Sequence, residues 1–318
     1  MNPLRIAFIY REGQKFLSGN YKDNTFYHFF FSALQRCEDV QIRYFKSQRV
    51  FNASVLKGSC DVVILFDVID WGAPELILNL DKLKVPIVLN CGDCHQADYR
   101  PSRCNGKLRP ELAKKYGVTH CFFQHAPEYF YKFWPKEFEY YQLFFGVEKE
   151  LYENLQPFAN RRKEVILNSG ELRVQGNFYV LRRLVNQLPF VSKPIFNKNN
   201  VGNSTGDNFN NLLQKYRASV AACTTCTVMK YIEIPAAGCL TFMEVTNQNN
   251  ADKLGFIDNE TCIYINEQNY EDKMRLYMST IDDPIWEMIA EEGRKFILKN
   301  YTNDIQAIRF VNWLRTII

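Results

Sequence analysis

An α/β chain carrying two parallel-sheet domains is what this sequence predicts, and three observations predict it. Short apolar runs alternate with helix-like stretches along most of the chain, the rhythm of βαβ units and of a doubly wound sheet. Several of those runs, Val62–Phe66 above all, are apolar without alternation, as strands buried on both faces are. The length is 318 residues, which corresponds to two domains of about 150 each. A hydrophobic content of 47% supplies both cores.

In the first half, Arg5–Tyr10 reads as a strand and Arg11–Asn24 as a polar loop. Thr25–Cys37 is an aromatic-rich helix behind Asp23 and Asn24. Its Phe26–Phe31 run (FYHFFF) is core, although such rings can also stack on a sugar or lipid. Strands follow at Val40–Phe45, Val62–Phe66, Ile87–Asn90, His120–Phe123 and Tyr140–Phe144, with helices expected over Val50–Lys57, Pro74–Leu83 and Pro110–Tyr116. Ligands of open α/β sheets gather at the carboxyl ends of the strands. The residues that fall there are Arg11, Glu12, Asp67, Asp70, Asp93, His95, Gln124 and His125. One His at a strand end is usually structural, but several titratable groups on one rim point to a site.

In the second half, Glu164–Asn168 is a strand opening into Asn168-Ser169-Gly170-Glu171, and a helix follows over Tyr179–Leu188 with Arg182 and Arg183. Asn197–Asn210 is polar and Gly-containing, a surface loop. Phe209–Tyr216 is amphipathic. The chain then reaches the stretch Ser219–Glu244, SVAACTTCTVMKYIEIPAAGCLTFME. SVAAC is a buried strand, and Thr224, Thr225 and Thr227 mark a helix start, where free backbone N–H groups need acceptors. The helix Val228–Ala237 stops at Gly238, the residue that takes a left-handed cap at least cost, and Cys239–Met243 is the next strand. Lys230 and Glu233, three apart, share a face near the positive end of the helix dipole. The cation and the N–H groups suit a phosphate, and Glu233 one turn on can accept from sugar hydroxyls, a pairing that fits a nucleotide. Two solvated charges on an ordinary helix would look the same. Beyond it come a helix-to-turn at Asn250–Phe256, a strand at Cys262–Ile265, and helices over Tyr270–Thr280, Asp283–Asn300 and Asp304–Ile318.

Composition narrows the function. The net charge of +4 is dispersed, so no nucleic-acid partner is expected. The opening MNPLRIAFIYREG is a strand with a charge inside it rather than a signal peptide, and no stretch has the length of a membrane-spanning helix. A cytoplasmic protein is expected, with peripheral membrane contact left open. Its ten cysteines are then reduced thiols, and Cys121, Cys223, Cys239 and Cys262 sit in apolar runs as small core residues. Cys91-Gly-Asp-Cys94-His95 has the spacing of c-type haem attachment, which needs export. With Cys104 and His95 or His120 it has zinc-ligand types, but only one CxxC. Cys223-Thr-Thr-Cys226 is a second CxxC, read as packing.

KYIEIPAAGCLTFME, followed by LGFIDNETCIYIN and the closing helix EEGRKFILKNYT, resembles the C-terminal domain of GT-B glycosyltransferases. The likeness is nearest to the CgeB-like (spore maturation protein-like) branch of the group 1 transferases and covers about Ser219–Thr302. It implies two Rossmann-like domains facing a cleft, with the last helix packing back on the N-terminal domain. Phe145-Gly146-Val147-Glu148 resembles the segment that joins those domains. The implied division is 1–155 for the acceptor domain, 156–302 for the nucleotide-sugar domain and 303–318 for the returning helix.

The resemblance implies a sugar transferase using a nucleotide-diphosphate sugar, without a metal, since no DxD motif is evident. The diphosphate would lie over Thr225, Thr227 and Lys230, with Ser169, Gly170 and Arg182 approaching the donor and Glu233 accepting from the ribose. Candidate bases for the acceptor hydroxyl are His95, Asp93, Asp67 and Glu12, in no order. The acceptor itself (glycan, lipid, protein or small molecule) is unnamed. One departure stands out: retaining relatives carry a glutamate where this chain has Thr225. A degenerate sugar-nucleotide-binding protein and a nucleotide-sugar epimerase on the same fold therefore remain as alternatives.

Overall fold

The computed structural model describes residues 3–11, 25–47, 49–66, 76–92, 94, 108–144, 146–170, 172, 177–193 and 207–318. It divides into two compact units. The first takes the described residues of Met1–Lys15, Phe31–Phe144 and Gln306–Ile318, and the second those of Phe16–Phe30 and Phe145–Ile305.

In the first unit the strands are β1 (Leu4–Arg11), β2 (Val40–Ser47), β3 (Val50–Asn52), β4 (Val62–Phe66), β5 (Leu76–Leu78), β6 (Ile87–Asn90), β7 (His120–Phe123) and β8 (Glu139–Gln142). Six form one sheet in the order β2-β1-β4-β6-β7-β8, with every pairing parallel. β4 is buried at all its positions, as its unbroken apolar run requires. Helix α1 (Thr25–Arg36) contributes Phe31, whose ring packs edge-on to Phe8 at 4.6 Å and to Phe66 at 5.4 Å. Phe30 is also buried, so these two rings of the aromatic run are core. α2 (Leu108–Lys115) and the one-turn α3 (Pro127–Phe130) complete the described helices of the first half.

Two expected helices are not formed there. Val50–Lys57 is instead β3 followed by a 3₁₀ turn, Ala53–Leu56. Asn52 accepts a hydrogen bond from the Ser54 N–H at 3.1 Å, the local side-chain bond that competes with a helix. The described part of Pro74–Leu83 is β5, which pairs with β3, and a 3₁₀ turn at Leu80–Lys82. Between them Asn79 stands at φ 59°, left-handed and so incompatible with a continuing helix.

The second unit holds a five-stranded parallel sheet: β9 (Arg162–Leu167), β10 (Val191–Ser192), β11 (Tyr216–Ala221), β12 (Leu240–Glu244) and β13 (Ile263–Ile265), in the order β10-β9-β11-β12-β13. Its helices are α4 (Val180–Val185), α5 (Asp207–Leu213), α6 (Lys230–Ala236), α7 (Tyr270–Ser279) and α8 (Ile285–Asn300). Ile166, Val220, Phe242 and Ile263 from the strands pack with Leu181, Met274, Tyr277 and Ile289 from the helices. Gly238 takes φ 65°, the left-handed cap its position predicts. The buried Arg161 donates to the carbonyls of Ala237 and Gly238, both at 2.8 Å, satisfying oxygens the helix end leaves over.

Three helices are shorter than the sequence implies. Residues 179–188 give only α4, behind a 3₁₀ turn at Asn177–Tyr179. The 209–216 helix ends at Leu213, because Tyr216 pairs with Arg162 in the sheet. The helix expected from Val228 starts at Lys230.

The final helix, α9 (Asn303–Thr316), belongs to the first unit from Gln306 onward. Phe310 lies 4.8 Å from the Phe122 ring, and Trp313 stacks on Tyr141 at 4.6 Å. The six-stranded and five-stranded sheets each reverse their strand order once, between β1 and β4 and between β9 and β11. Those reversals are where α/β sheets open a crevice for ligands.

Candidate functional site

At the reversal in the second unit, β9 ends in Asn168-Ser169-Gly170 and β11 in Ala222-Cys223-Thr224-Thr225. Asn168 ties its loop to α4, donating through Nδ2 to the Arg182 carbonyl at 2.9 Å and to Asn186 Oδ1 at 2.7 Å. Gly170 stands at φ 115°, where only glycine is comfortable. A Cβ built on it would lie 2.8 Å from Arg182 Nη1 and 2.9 Å from Lys230 Cε. Two cations that are 48 residues apart in sequence therefore converge on the open face of one glycine.

Both are held by packing. Arg182 is 2% exposed, with its guanidinium 4.0 Å from the Tyr179 ring centroid and Nη2 donating to the Ala222 carbonyl at 2.5 Å. Lys230 is half-buried, its Nζ 4.6 Å from the Phe209 ring centroid. Burial, and then the charge of Arg182, hold the Lys230 ammonium below its ordinary value, while Glu233 opposes the shift. Burial also pushes the Glu233 carboxyl up, and Lys230 pulls it back. Among the described residues Lys230 and Glu233 form no ion pair with each other. Two adjacent cations, one with its proton loosened, are an arrangement that an anion would stabilise.

Two hydroxyls of the turns after β9 and β11 are unspent. Ser169 Oγ and Thr225 Oγ1 are buried without a hydrogen-bond partner among the described residues, and so is Glu244 Oε2. Buried polar atoms without partners cost about 1–3 kcal/mol each, so each calls for an explanation, which a bound water, an ion or a ligand can supply. Glu244, at the end of β12, takes a hydrogen bond from Thr224 Oγ1 at 2.9 Å. Burial raises its carboxyl to about 7.

The threonines do not cap a helix as expected. Thr224 spends its N–H on the Phe178 carbonyl at 2.8 Å, its hydroxyl on Glu244, and its carbonyl on the Thr246 hydroxyl at 2.7 Å. With that turn locked to its neighbours, the helix starts later, and Thr227 is simply buried. Three residues that sequence reasoning missed hold the turn. Tyr231 Oη accepts from the Cys223 N–H at 3.1 Å and donates to the Glu244 carbonyl at 3.0 Å. Asn249 Nδ2 donates to the carbonyls of Cys223 and Glu244 at 2.9 and 3.0 Å. The one available signal was Glu244 itself, a carboxylate closing a fully buried strand.

Of the other expected site residues, Arg183 is half-buried on α4. His125 is buried between the rings of Phe123 and Tyr129, at 5.1 and 5.0 Å, a packing position rather than a rim. The candidate bases Glu12, Asp67, Asp93 and His95 lie outside the described residues, as do Asp70 and Cys104. Cys91 and Cys94 are buried with sulfurs 4.0 Å apart. Among the described residues no group of three or more His, Cys, Asp or Glu is placed to hold a metal. No helix among them is long and apolar enough to cross a membrane.

No protein-family model and no curated protein matches the chain, but solved structures do. HepE of Anabaena, solved with UDP and glucose, superposes with a TM-score of 0.61 at 11% identity, covering 98% of this chain and 100% of that one. Sucrose-phosphate synthase of Thermosynechococcus elongatus gives 0.61 at 10% identity over 98% of both chains. An alpha-glucosyltransferase solved with UDP-glucose and DNA containing an abasic site gives 0.63 at 8% identity, over 99% of this chain and 100% of that one. At such identities the likeness shows the fold. It is the GT-B architecture of two parallel-sheet units, as the C-terminal motifs implied.

Proposed function

We propose that this protein is a glycosyltransferase of the GT-B class, in its CgeB-like branch, moving a sugar from a nucleotide-diphosphate sugar to an acceptor hydroxyl. The observation that carries the reading is the meeting of Arg182 and Lys230 over Gly170, beside the unspent hydroxyls of Ser169 and Thr225. A diphosphate fits that set by charge and by hydrogen-bond type. As the bond to the sugar breaks, negative charge grows on the leaving diphosphate, and two fixed cations stabilise it without a metal. Glu233, one helical turn from Lys230, would accept from the ribose hydroxyls, and Thr227 would line the same turn. One of Glu12, Asp67, Asp93 and His95 would take the acceptor's proton. In this reading residues 1–155 with 303–318 serve the acceptor and 156–302 the donor. HepE and the alpha-glucosyltransferase are each solved with UDP, which makes UDP the first nucleotide to try. The acceptor is sought among glycans, lipids, proteins and small molecules, given the dispersed charge, and the site of action is cytoplasmic.

Calorimetric titration with UDP, GDP, ADP, CMP and TDP tests this on wild type, Lys230→Ala and Glu233→Ala. One diphosphate should bind, and either substitution should weaken it by about 1–3 kcal/mol. A folded sample that binds none of them would overturn the site. Binding without transfer or donor hydrolysis would favour a catalytically degenerate protein, which the Thr225 departure allows. A changed donor sugar with no acceptor present would identify an epimerase.

A further inference from the structure

The second CxxC does more than fill space. Cys223 and Cys226 bracket Thr224 and Thr225 in the turn after β11, with sulfurs 3.6 Å apart. Neither is cross-linked, and they are 1% and 5% exposed. A disulfide needs its sulfurs at about 2.05 Å, so closure by roughly 1.5 Å would join them. Of the residues between them, Thr224 is held by its three hydrogen bonds, while Thr225, whose hydroxyl has no partner among the described residues, lies in a bend that can absorb the movement.

The Cys223 N–H is held by Tyr231 Oη at 3.1 Å and its carbonyl by Asn249 Nδ2 at 2.9 Å, both anchored to the end of β12. Closing the bond would shorten the turn that carries Thr225 and leads through Thr227 into α6 at Lys230. The chemistry is primed as well. A hydrogen bond from Cys226 holds the Cys223 thiol below its ordinary value against burial, helped by the backbone N–H groups of Cys226 and Thr225 and by the charge of Arg182. A thiolate is the form that oxidants attack.

We propose that Cys223 and Cys226 are a redox-sensitive dithiol whose oxidation cross-links the turn and weakens anion binding by Arg182 and Lys230. With a hydroperoxide, one thiolate sulfur attacks the peroxide oxygen, leaving a sulfenic acid and releasing water or alcohol. The second thiol displaces the hydroxyl as water and closes the S–S bond. Two thiols thus lose two electrons and two protons to the peroxide, and a dithiol reductant reverses the change. The regulatory half of this inference rests on the proposed diphosphate site.

The full-length protein is treated with hydrogen peroxide, and UDP binding is measured before oxidation, after it, and after dithiothreitol. The tryptic peptide Ala218–Lys230, which contains only these two cysteines, is weighed by mass spectrometry under non-reducing conditions. The expected result is loss of two hydrogens from that peptide, UDP affinity reduced at least about tenfold, and recovery on reduction. Cys226→Ala should keep its affinity under peroxide, and a Cys91→Ala/Cys94→Ala variant should respond like wild type, which separates this pair from the other buried pair. An uncross-linked peptide, a cross-link with unchanged affinity, or a Cys226→Ala protein that loses affinity as wild type does would each overturn the proposal. If the reduced wild type binds no nucleoside diphosphate, the site assignment fails instead, and the cross-link then stands or falls on the peptide mass alone.

Discussion

Gly170 is the position where one atom decides the site. Any side chain there meets Arg182 and Lys230 and must also hold φ 115°. Gly170→Ala should therefore weaken nucleotide binding about tenfold and cost about 1–3 kcal/mol of stability, read by titration and urea denaturation of the same preparation. Glu244 makes a prediction with a pH signature. Its carboxyl is raised from 4.5 to about 7 when folded, so the folded state holds that proton more tightly than the unfolded one. The contribution to stability is whole below about pH 4.5 and is lost as pH rises through about 7. Glu244→Gln keeps the shape and removes the titration. The variant should gain on wild type between pH 5 and pH 8, by up to about 3 kcal/mol, in urea titrations at the two values. A difference that does not change with pH would show that the carboxyl is not buried in its proton-binding form. At this scale the sequence was uneven. That Lys230 and Glu233 share one helix was legible from their spacing of three, whereas Tyr231, Asn249 and Glu244 act through contacts made only after the strands align.

Elements were legible where burial is uniform and obscure where it is not. β4 announces itself because both faces are covered and every position is apolar, and β12 because Leu240, Phe242 and Met243 make most of a fully buried run. β3 and β5 carry exposed Val50, Leu76 and Leu78, so three-residue strands at the surface share a pattern with short amphipathic helices. The helix start before Lys230 misled for a different reason: threonines are good caps, but here Glu244 and Thr246 claim the bonds of Thr224. Packing between elements gives its own test at Gly293 in α8. A Cβ there would strike the Thr261 carbonyl oxygen, and that backbone leads directly into β13. Gly293→Ala would normally stabilise a helix by about 1 kcal/mol. Here it should destabilise the protein instead, by about 1–3 kcal/mol, seen as a lower midpoint in thermal unfolding. A raised midpoint would mean that α8 sits further from Thr261 than the structure has it.

For the whole molecule, the rhythm of runs and the length sufficed to give two parallel sheets, because βαβ units admit few other arrangements. Periodicity alone did not say which unit each segment joins, but for the last helix the family resemblance implied the first unit, and the structure agrees from Gln306 onward. The last helix shows how that is settled: its amphipathic spacing was plain, but its partners are aromatic side chains of β7 and β8, more than 160 residues earlier. Phe310 is fully buried against Phe122 and packs beside Trp313, which lies on Tyr141. These contacts are internal to the first unit, while Arg182, Lys230 and Glu233 belong to the second. Phe310→Ala should then cost about 3–5 kcal/mol in the unit that loses the ring and leave UDP affinity within about twofold at a temperature where the variant is folded. Urea unfolding followed by tryptophan fluorescence reads the first quantity and calorimetry the second. A variant that loses stability and keeps its nucleotide would show that the two units carry separable tasks. Loss of both together would mean that the donor site depends on the first unit being intact, and the acceptor and donor roles would have to be assigned to the chain as one body.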